Sequence, residues 1–300
     1  MGTIIEATAT ATSHHRPFAP GALKLADTAA CLCLERAERT ADELDLLINA
    51  GVYHDKLMNE PALASLIQED IGANPDQHPG EGHGTFSFDI ANGGCGLLTG
   101  IHLVDGLLAS GTVNLGMVVA SDIDPEPGVS EGFAFPAVGG AILLSADDSR
   151  PGFAAFRFAT FPEFADLFGS YVDWHEDARR GLAHHGRNIL TVEIADEYVV
   201  RALECAESTV REFADAQALD LTDVDLLVAT ASVPGFAAGL ATRLGVPTER
   251  AATSAEDLTE HAHTAAPAVA LEADGLKTAR TVLFVSAGAG ITIAVALYRA

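Results

Sequence analysis

One stretch, Asp89-Ile90-Ala91-Asn92-Gly93-Gly94-Cys95-Gly96-Leu97-Leu98-Thr99-Gly100, holds the residues best arranged for chemistry. It reads as a strand end, a glycine-crowded turn, one cysteine and then a helix, because Leu97, Leu98, Ile101, Val104, Leu107 and Leu108 recur at helical spacing. Cys95 is thereby placed at or near a helix N-terminus, where unpaired backbone N–H groups and the positive dipole end favour an anion. A thiol held there is expected to have a lowered pKa, and its thiolate is a nucleophile. Glycines on both sides leave room for close approach of a substrate. The same residues also read as a buried cysteine behind a tight turn, and the local pattern does not choose between the two.

Alternating strands and helices must position that turn. Strands are expected over Thr3–Ala11, Glu43–Gly51, Phe86–Ile90, Leu115–Ser121, Val224–Thr230, Thr281–Ser286 and Ile291–Tyr298. Ala137–Ser145 and Gly152–Thr160 are expected to pair with each other. Helices are expected over Leu23–Ala37, Pro61–Ile71, Thr191–Ala216, Phe236–Leu244 and Thr264–Ala273. Phe161–Asn188 lacks clear periodicity and reads as a lid, a substrate-lining segment or a crossover between the halves. Most of the strands are continuous apolar runs, which implies sheets covered on both faces.

The pattern repeats. Glu43-Leu44-Asp45-Leu46-Leu47-Ile48 returns as Asp223-Val224-Asp225-Leu226-Leu227-Val228, each between helices, and Leu115–Ser121 has a counterpart in Val282–Ser286. Two such halves face each other across a cleft, and ligand sites favour such junctions and the carboxyl ends of strands. Cys95 in one half and the Glu260-His261-Ala262-His263 loop in the other occupy comparable strand-end positions.

Composition narrows the function class. The formal net charge of −25 disfavours nucleic acid and anionic membranes as partners. No apolar run reaches the roughly 18 residues of a membrane span. The N-terminus lacks a signal-peptide pattern, so a cytoplasmic location is expected. Cys31, Cys33 and Cys205 lie in alanine- and leucine-rich helical stretches and read as small buried hydrophobes. No CxxC pair exists, which excludes zinc-ribbon and thioredoxin-type motifs.

The Cys95 segment, with Leu115-Gly116-Met117-Val118-Val119-Ala120-Ser121-Asp122, Val138-Gly139-Gly140-Ala141 and the Gly288-Ala289-Gly290 turn, resembles β-ketoacyl-acyl carrier protein synthase III, a family of thiolase-fold condensing enzymes. The resemblance extends from about Leu44 onward. It implies an α/β thiolase-like fold, two duplicated halves in a five-layered αβαβα sandwich. The halves would be residues 1–160 and 191–300, joined by 161–190, and the protein usually a homodimer. It implies Cys95 as an acyl-carrying nucleophile, with acyl-coenzyme A or acyl carrier protein thioesters as substrates and no further cofactor or metal.

The departures from the family are specific. Its N-terminal coenzyme A-binding segment is shortened here. Its His-Gln-Ala-Asn motif aligns with Thr230-Ala231-Ser232-Val233, so Thr230 replaces a catalytic histidine, and Gly235 replaces a carrier-docking arginine. Its His-Gly-Asn-Thr motif aligns with His261-Ala262-His263-Thr264, which puts His263 at the asparagine position; an alignment anchored on Pro267 puts Glu260 there instead. The resemblance therefore implies His263 as the base, with His261, Thr230 and Glu260 as further candidates. The backbone N–H groups of Cys95 and of Gly288, Ala289 or Gly290 would form the oxyanion hole. One of the two polar side chains used in decarboxylative condensation is missing. Two functions follow: an acyltransferase or noncanonical condensing enzyme of secondary metabolism, with thioester hydrolysis as a lesser branch, or a non-catalytic subunit forming a heterodimer with an active homologue.

Overall fold

Two sheets repeat one strand order. The computed structural model describes residues 2–12, 20–74, 84–173, 189–252, 258–274, 276 and 279–300. In the first sheet, β1 (Gly2–Thr12), β5 (Val138–Asp147), β4 (Leu115–Asp122), β2 (Leu46–Asn49) and β3 (Phe86–Asp89) lie side by side in that order. In the second, the order is β6 (Gly152–Thr160), β11 (Thr292–Arg299), β10 (Thr281–Gly288) and β9 (Leu226–Thr230). β2 runs parallel to β4, and β9 parallel to β10, while the other pairs of the repeated four are antiparallel. The internal repeat seen in the sequence is this duplication, β2 matching β9 and β4 matching β10.

Helices cover both sheets and fill the space between them. α1 (Ala22–Arg36) and α2 (Leu63–Ile71) pack outside the first sheet around Leu25, Cys33, Leu44, Leu47, Met117 and Leu143. α3 (Gly96–Ala109) lies between the sheets, and its Leu97, Leu98, Ile101, Val104 and Leu108 are buried against Ile48, Val118 and Phe284. Each such side chain contributes about 1.5–3 kcal/mol of transfer free energy. α7 (Ala266–Asp274), which follows the short α6 (Leu258–His261), shares that central layer through Val269 and Leu271. α4 (Tyr198–Gln217) and α5 (Phe236–Leu244) cover the second sheet's outer face. The layers are therefore helix, sheet, helix, sheet, helix, and no helix among the described residues is long and apolar enough to cross a membrane.

Two expectations need correction. β5 and β6 do not pair: β5 lies between β1 and β4, and β6 is the outer neighbour of β11. The chain thus changes sheets between Asp147 and Gly152, ahead of the expected boundary at 160. The expected helix from Thr191 begins only at Tyr198, because Ile189–Ile194 is a strand, β8, paired with β7 (Phe168–Asp173). Leu190 and Val192 alternate inward there, a period-two signal that the aromatic segment before it obscured. Trp174, His175, His184 and His185, with Arg179, Arg180, Arg187 and Lys277, lie outside the described residues, as do His14, His15 and His83.

Candidate active site

The turn before α3 is built by close approach. Gly93 has a φ of 47°, in the left-handed region, and a side chain on Gly94 would place Cβ 2.6 Å from the Ala287 carbonyl oxygen of β10. Glycine alone fits both demands. The turn brings Cys95 to the N-cap of α3 with no exposed surface. Its Sγ lies 3.4 Å from the carbonyl oxygens of Ser286 and Thr292, to which the thiol donates. Burial pushes this thiol up to about 12. The helix terminus is where it was expected, but the expected lowering is not found: desolvation dominates, opposed by a backbone hydrogen bond at Ala294. Cys95 at rest is a thiol and needs a base.

His263 is the imidazole brought to the Gly93 turn. The ring is buried, and Cε1 and Nε2 face the Gly93 turn, both 3.9 Å from where a Cβ on Gly93 would lie. Nδ1 is 2.9 Å from Ser232 Oγ. Phe135 stacks on the ring at 4.6 Å, with Tyr53 at 5.3 Å and Phe168 at 6.1 Å. Burial lowers its pKa, opposed by the carboxylate of Asp122. The imidazole is therefore neutral near pH 7. In the tautomer whose Nδ1–H donates to Ser232, Nε2 carries the free lone pair, and that is the tautomer a base at this turn requires.

Asp122 fixes the backbone around this pair. One carboxylate oxygen accepts from the N–H groups of Val52 and Tyr53, each at 2.9 Å. The other accepts from the N–H of Thr264 at 2.9 Å and from its hydroxyl. The last residue of β4 thus ties the loop after β2 to the residue following His263, across the two halves. Neither Asp122 nor Ser232 stood out in the sequence as a site residue, because their partners are remote along the chain.

The other candidates fall elsewhere. Thr230 ends β9 with its hydroxyl 3.0 Å from that of Ser286, a buried polar pair behind the thiol's acceptor. His261 is exposed at the end of α6. Glu260 accepts from the Gly235 N–H at 3.3 Å, at the start of α5. Gly288 packs against Cys95, a Cβ there lying 3.5 Å from Sγ, and opens the Gly288-Ala289-Gly290 turn beside the thiol. The Cys95 N–H, expected in the oxyanion hole, is instead engaged by the Asn92 carbonyl at 3.0 Å. Asp89 is structural: its carboxylate accepts from Leu63 and Ala64, each at 2.8 Å, at the start of α2.

Tyr53 also lines a cavity of about 240 Å³ with Val52, Leu57, Met58, Ser170 and Tyr171. Grooves of about 490 and 590 Å³ run along β1, where Glu6, Arg36, Arg39 and Glu272 line them, away from the thiol.

No family model matches the chain. The β-ketoacyl-[acyl-carrier-protein] synthase III of Anaplasma marginale (strain St. Maries) is 25% identical over 288 residues, covering 92% of this chain and 83% of that protein. The β-ketoacyl-[acyl-carrier-protein] synthase III 3 of Streptomyces coelicolor (strain ATCC BAA-471 / A3(2) / M145) is 28% identical over 291 residues, covering 89% and 79%. Among solved structures, Xanthomonas campestris OleA with bound lauric acid and lauroyl-CoA has a TM-score of 0.78 at 15% identity, covering 100% and 99%. The priming β-ketosynthase of the R1128 polyketide pathway has a TM-score of 0.77 at 18% identity, covering 99% and 96%. By sequence over most of its length and by fold over all of it, this chain is a divergent relative of β-ketoacyl-acyl carrier protein synthase III with the thiolase fold.

Proposed function

We propose that the protein is an acyl-transferring enzyme of the condensing type that carries its acyl group on Cys95. The observation that carries this reading is the placement of two buried groups at one glycine turn: the Cys95 thiol at the helix N-terminus that the turn leads into, and the His263 imidazole facing the turn at Gly93, with Ser232 on its far nitrogen. His263 Nε2 takes the thiol proton as Sγ attacks the carbonyl carbon of an acyl thioester. The tetrahedral intermediate collapses, the carbon–sulfur bond to the donor breaks, and the departing thiolate takes the proton back from His263. A small-molecule or carbon nucleophile then receives the acyl group. The names of the relatives support coenzyme A or acyl carrier protein as the donor. The Thr230 replacement and the likeness to a polyketide priming enzyme support a role in secondary metabolism.

The test is intact-mass analysis after incubation with acyl-coenzyme A and acyl-carrier-protein thioesters, alongside Cys95→Ala. An acyl-sized gain lost in the variant supports the reading. No gain with any donor, while a small alkylating reagent still labels Cys95, favours the second reading, a non-catalytic subunit paired with an active homologue. The enclosed thiol, and Thr230 where the resemblance implies a catalytic histidine, favour that side.

A further inference from the structure

The cavity beside Tyr53 takes no part in acyl transfer while the side chains stand at rest. It encloses about 240 Å³ between the loop after β2 and the β7–β8 hairpin, with Val52, Leu57, Met58, Val172 and Leu190 as its apolar wall. An apolar cavity of about 150 Å³ takes up a benzene, so this one has room for several carbon atoms. The loop that lines it is strained. Lys56 and Leu57 are consecutive left-handed residues, φ 54° and 58°, and neither is glycine. Each such residue costs about 1–3 kcal/mol, and strain of this kind gathers at ligand sites. Here it leaves Leu57 and Met58 half-buried on the cavity wall.

Tyr53 stands between this cavity and the imidazole. Its ring lies 5.3 Å from His263, 5.3 Å from Phe133 and 5.8 Å from Phe135, stacked on the last. The cavity is lined by Tyr53 and by none of those three rings. Tyr53 is buried, and its backbone is pinned on both sides. The N–H donates to Asp122 at 2.9 Å, and the carbonyl accepts from the Ile123 N–H at 3.1 Å. The ring is thus a fixed partition, one side chain thick, between the His263 cluster and an apolar space.

We propose that Tyr53 is the residue that limits acyl-chain length, and that the cavity behind it would take the tail of a longer apolar acyl group once the ring is removed. This rests on the acyl-carrying role of Cys95. An acyl chain that starts from Sγ at the Gly93 turn and passes His263 meets the Tyr53 ring next. A short chain ends before the ring. A long one must force the ring aside or crowd the packed core, and overpacking an interior costs about 1–3 kcal/mol. Tyr53 makes and breaks no bond in the reaction; it selects substrate by shape.

The experiment follows Cys95 acylation by intact mass with acetyl, butyryl and octanoyl thioesters, each offered on coenzyme A and on acyl carrier protein. It compares wild type with Tyr53→Phe, Tyr53→Leu, Tyr53→Ala and Tyr53→Ala/Met58→Trp. The readout is the octanoyl-to-acetyl rate ratio within each protein, which a loss of folded material does not change. Wild type and Tyr53→Phe, which keep the ring, should prefer acetyl. Tyr53→Ala should raise the ratio about 100-fold, with Tyr53→Leu shifted the same way by less. Met58→Trp, which refills the cavity from its opposite wall, should return the ratio toward wild type. An unchanged ratio in Tyr53→Ala and Tyr53→Leu, a Tyr53→Phe ratio as high as that of Tyr53→Ala, or a ratio that stays high in the double variant overturns the proposal while the acyl-carrying role of Cys95 stands. A wild-type protein that is alkylated at Cys95 by iodoacetamide but takes no acyl group from any donor overturns the parent reading, and the tyrosine's role with it.

Discussion

Ser232 Oγ lies 2.9 Å from His263 Nδ1, and Ser232 holds a left-handed backbone, φ 59°, where it makes that contact. The serine is kept in a conformation that glycine would adopt more readily. Ser232→Gly relaxes the backbone and removes the hydroxyl. Its thermal midpoint should equal or exceed that of wild type, while Cys95 acylation slows about 10-fold, the worth of one hydrogen bond. A variant that loses midpoint and keeps its rate would show that the serine serves the fold alone.

The resting thiol should behave as one. In a Cys31→Ser background, which removes the one cysteine that lies exposed on α1 rather than buried as its helical pattern suggested, Cys95 alkylation should keep accelerating through pH 9. An ordinary cysteine would level off near its usual pKa of about 8.5. A plateau at or below pH 8 would mean that the α3 terminus holds a thiolate after all.

Asp122 binds four donors on two segments, so its replacement should be felt in stability as well as rate. Asp122→Ala leaves those buried donors unsatisfied and should cost about 3 kcal/mol in denaturant unfolding. Thr264→Val, which removes one hydroxyl, should cost about 1 kcal/mol. Equal losses in the two variants would contradict the picture of one carboxylate clamping both halves.

The turn itself can be broken by one carbon. A methyl at Gly94 meets the Ala287 oxygen at 2.6 Å, so Gly94→Ala should destabilise by about 2 kcal/mol, in the range of other overpacked interiors. Gly106→Ala, on the helix that follows the turn, meets nothing within 4 Å and serves as the control, expected to hold or raise the midpoint.

A second pH effect comes from the far side of the molecule. Burial, then the nearby Asp70 carboxylate on α2, raises Asp27 on α1 to about 7, with Lys24 opposing. Its folded pKa lies above the unfolded value of about 3.9, so this contribution is complete below that value and lost as pH rises through 7. Asp27→Asn mimics the protonated form. It should raise the thermal midpoint relative to wild type at pH 8 and differ little at pH 4; a constant offset across that range would exclude the linkage.

Much of the scaffold was legible locally. The α3 stripe, the Gly93-Gly94 turn and the doubled Leu46/Leu226 strands announce themselves within short windows, because side-chain periodicity and glycine's freedom act over a few residues. Strand partners are a different matter. β5 and β6 are neighbours in sequence with similar patterns, and only the completed sheets decide that one pairs with β1 and the other with β11.

The site divides along the same line. The sequence by itself determined where the candidate nucleophile sits, since a cysteine between glycines at the head of an apolar helix is a local pattern, and the family resemblance narrowed the other candidates to Thr230 and three residues of one loop. Only the tertiary structure decided which of Glu260, His261 and His263 is buried against the Gly93 turn. That choice depends on which side chain the Asp122–Thr264 bond turns inward and which the α5 terminus draws away. It also decided the burial of Cys95, which is a property of every element packed around the thiol, and that desolvation raises a pKa that the helix terminus the sequence displays was expected to lower.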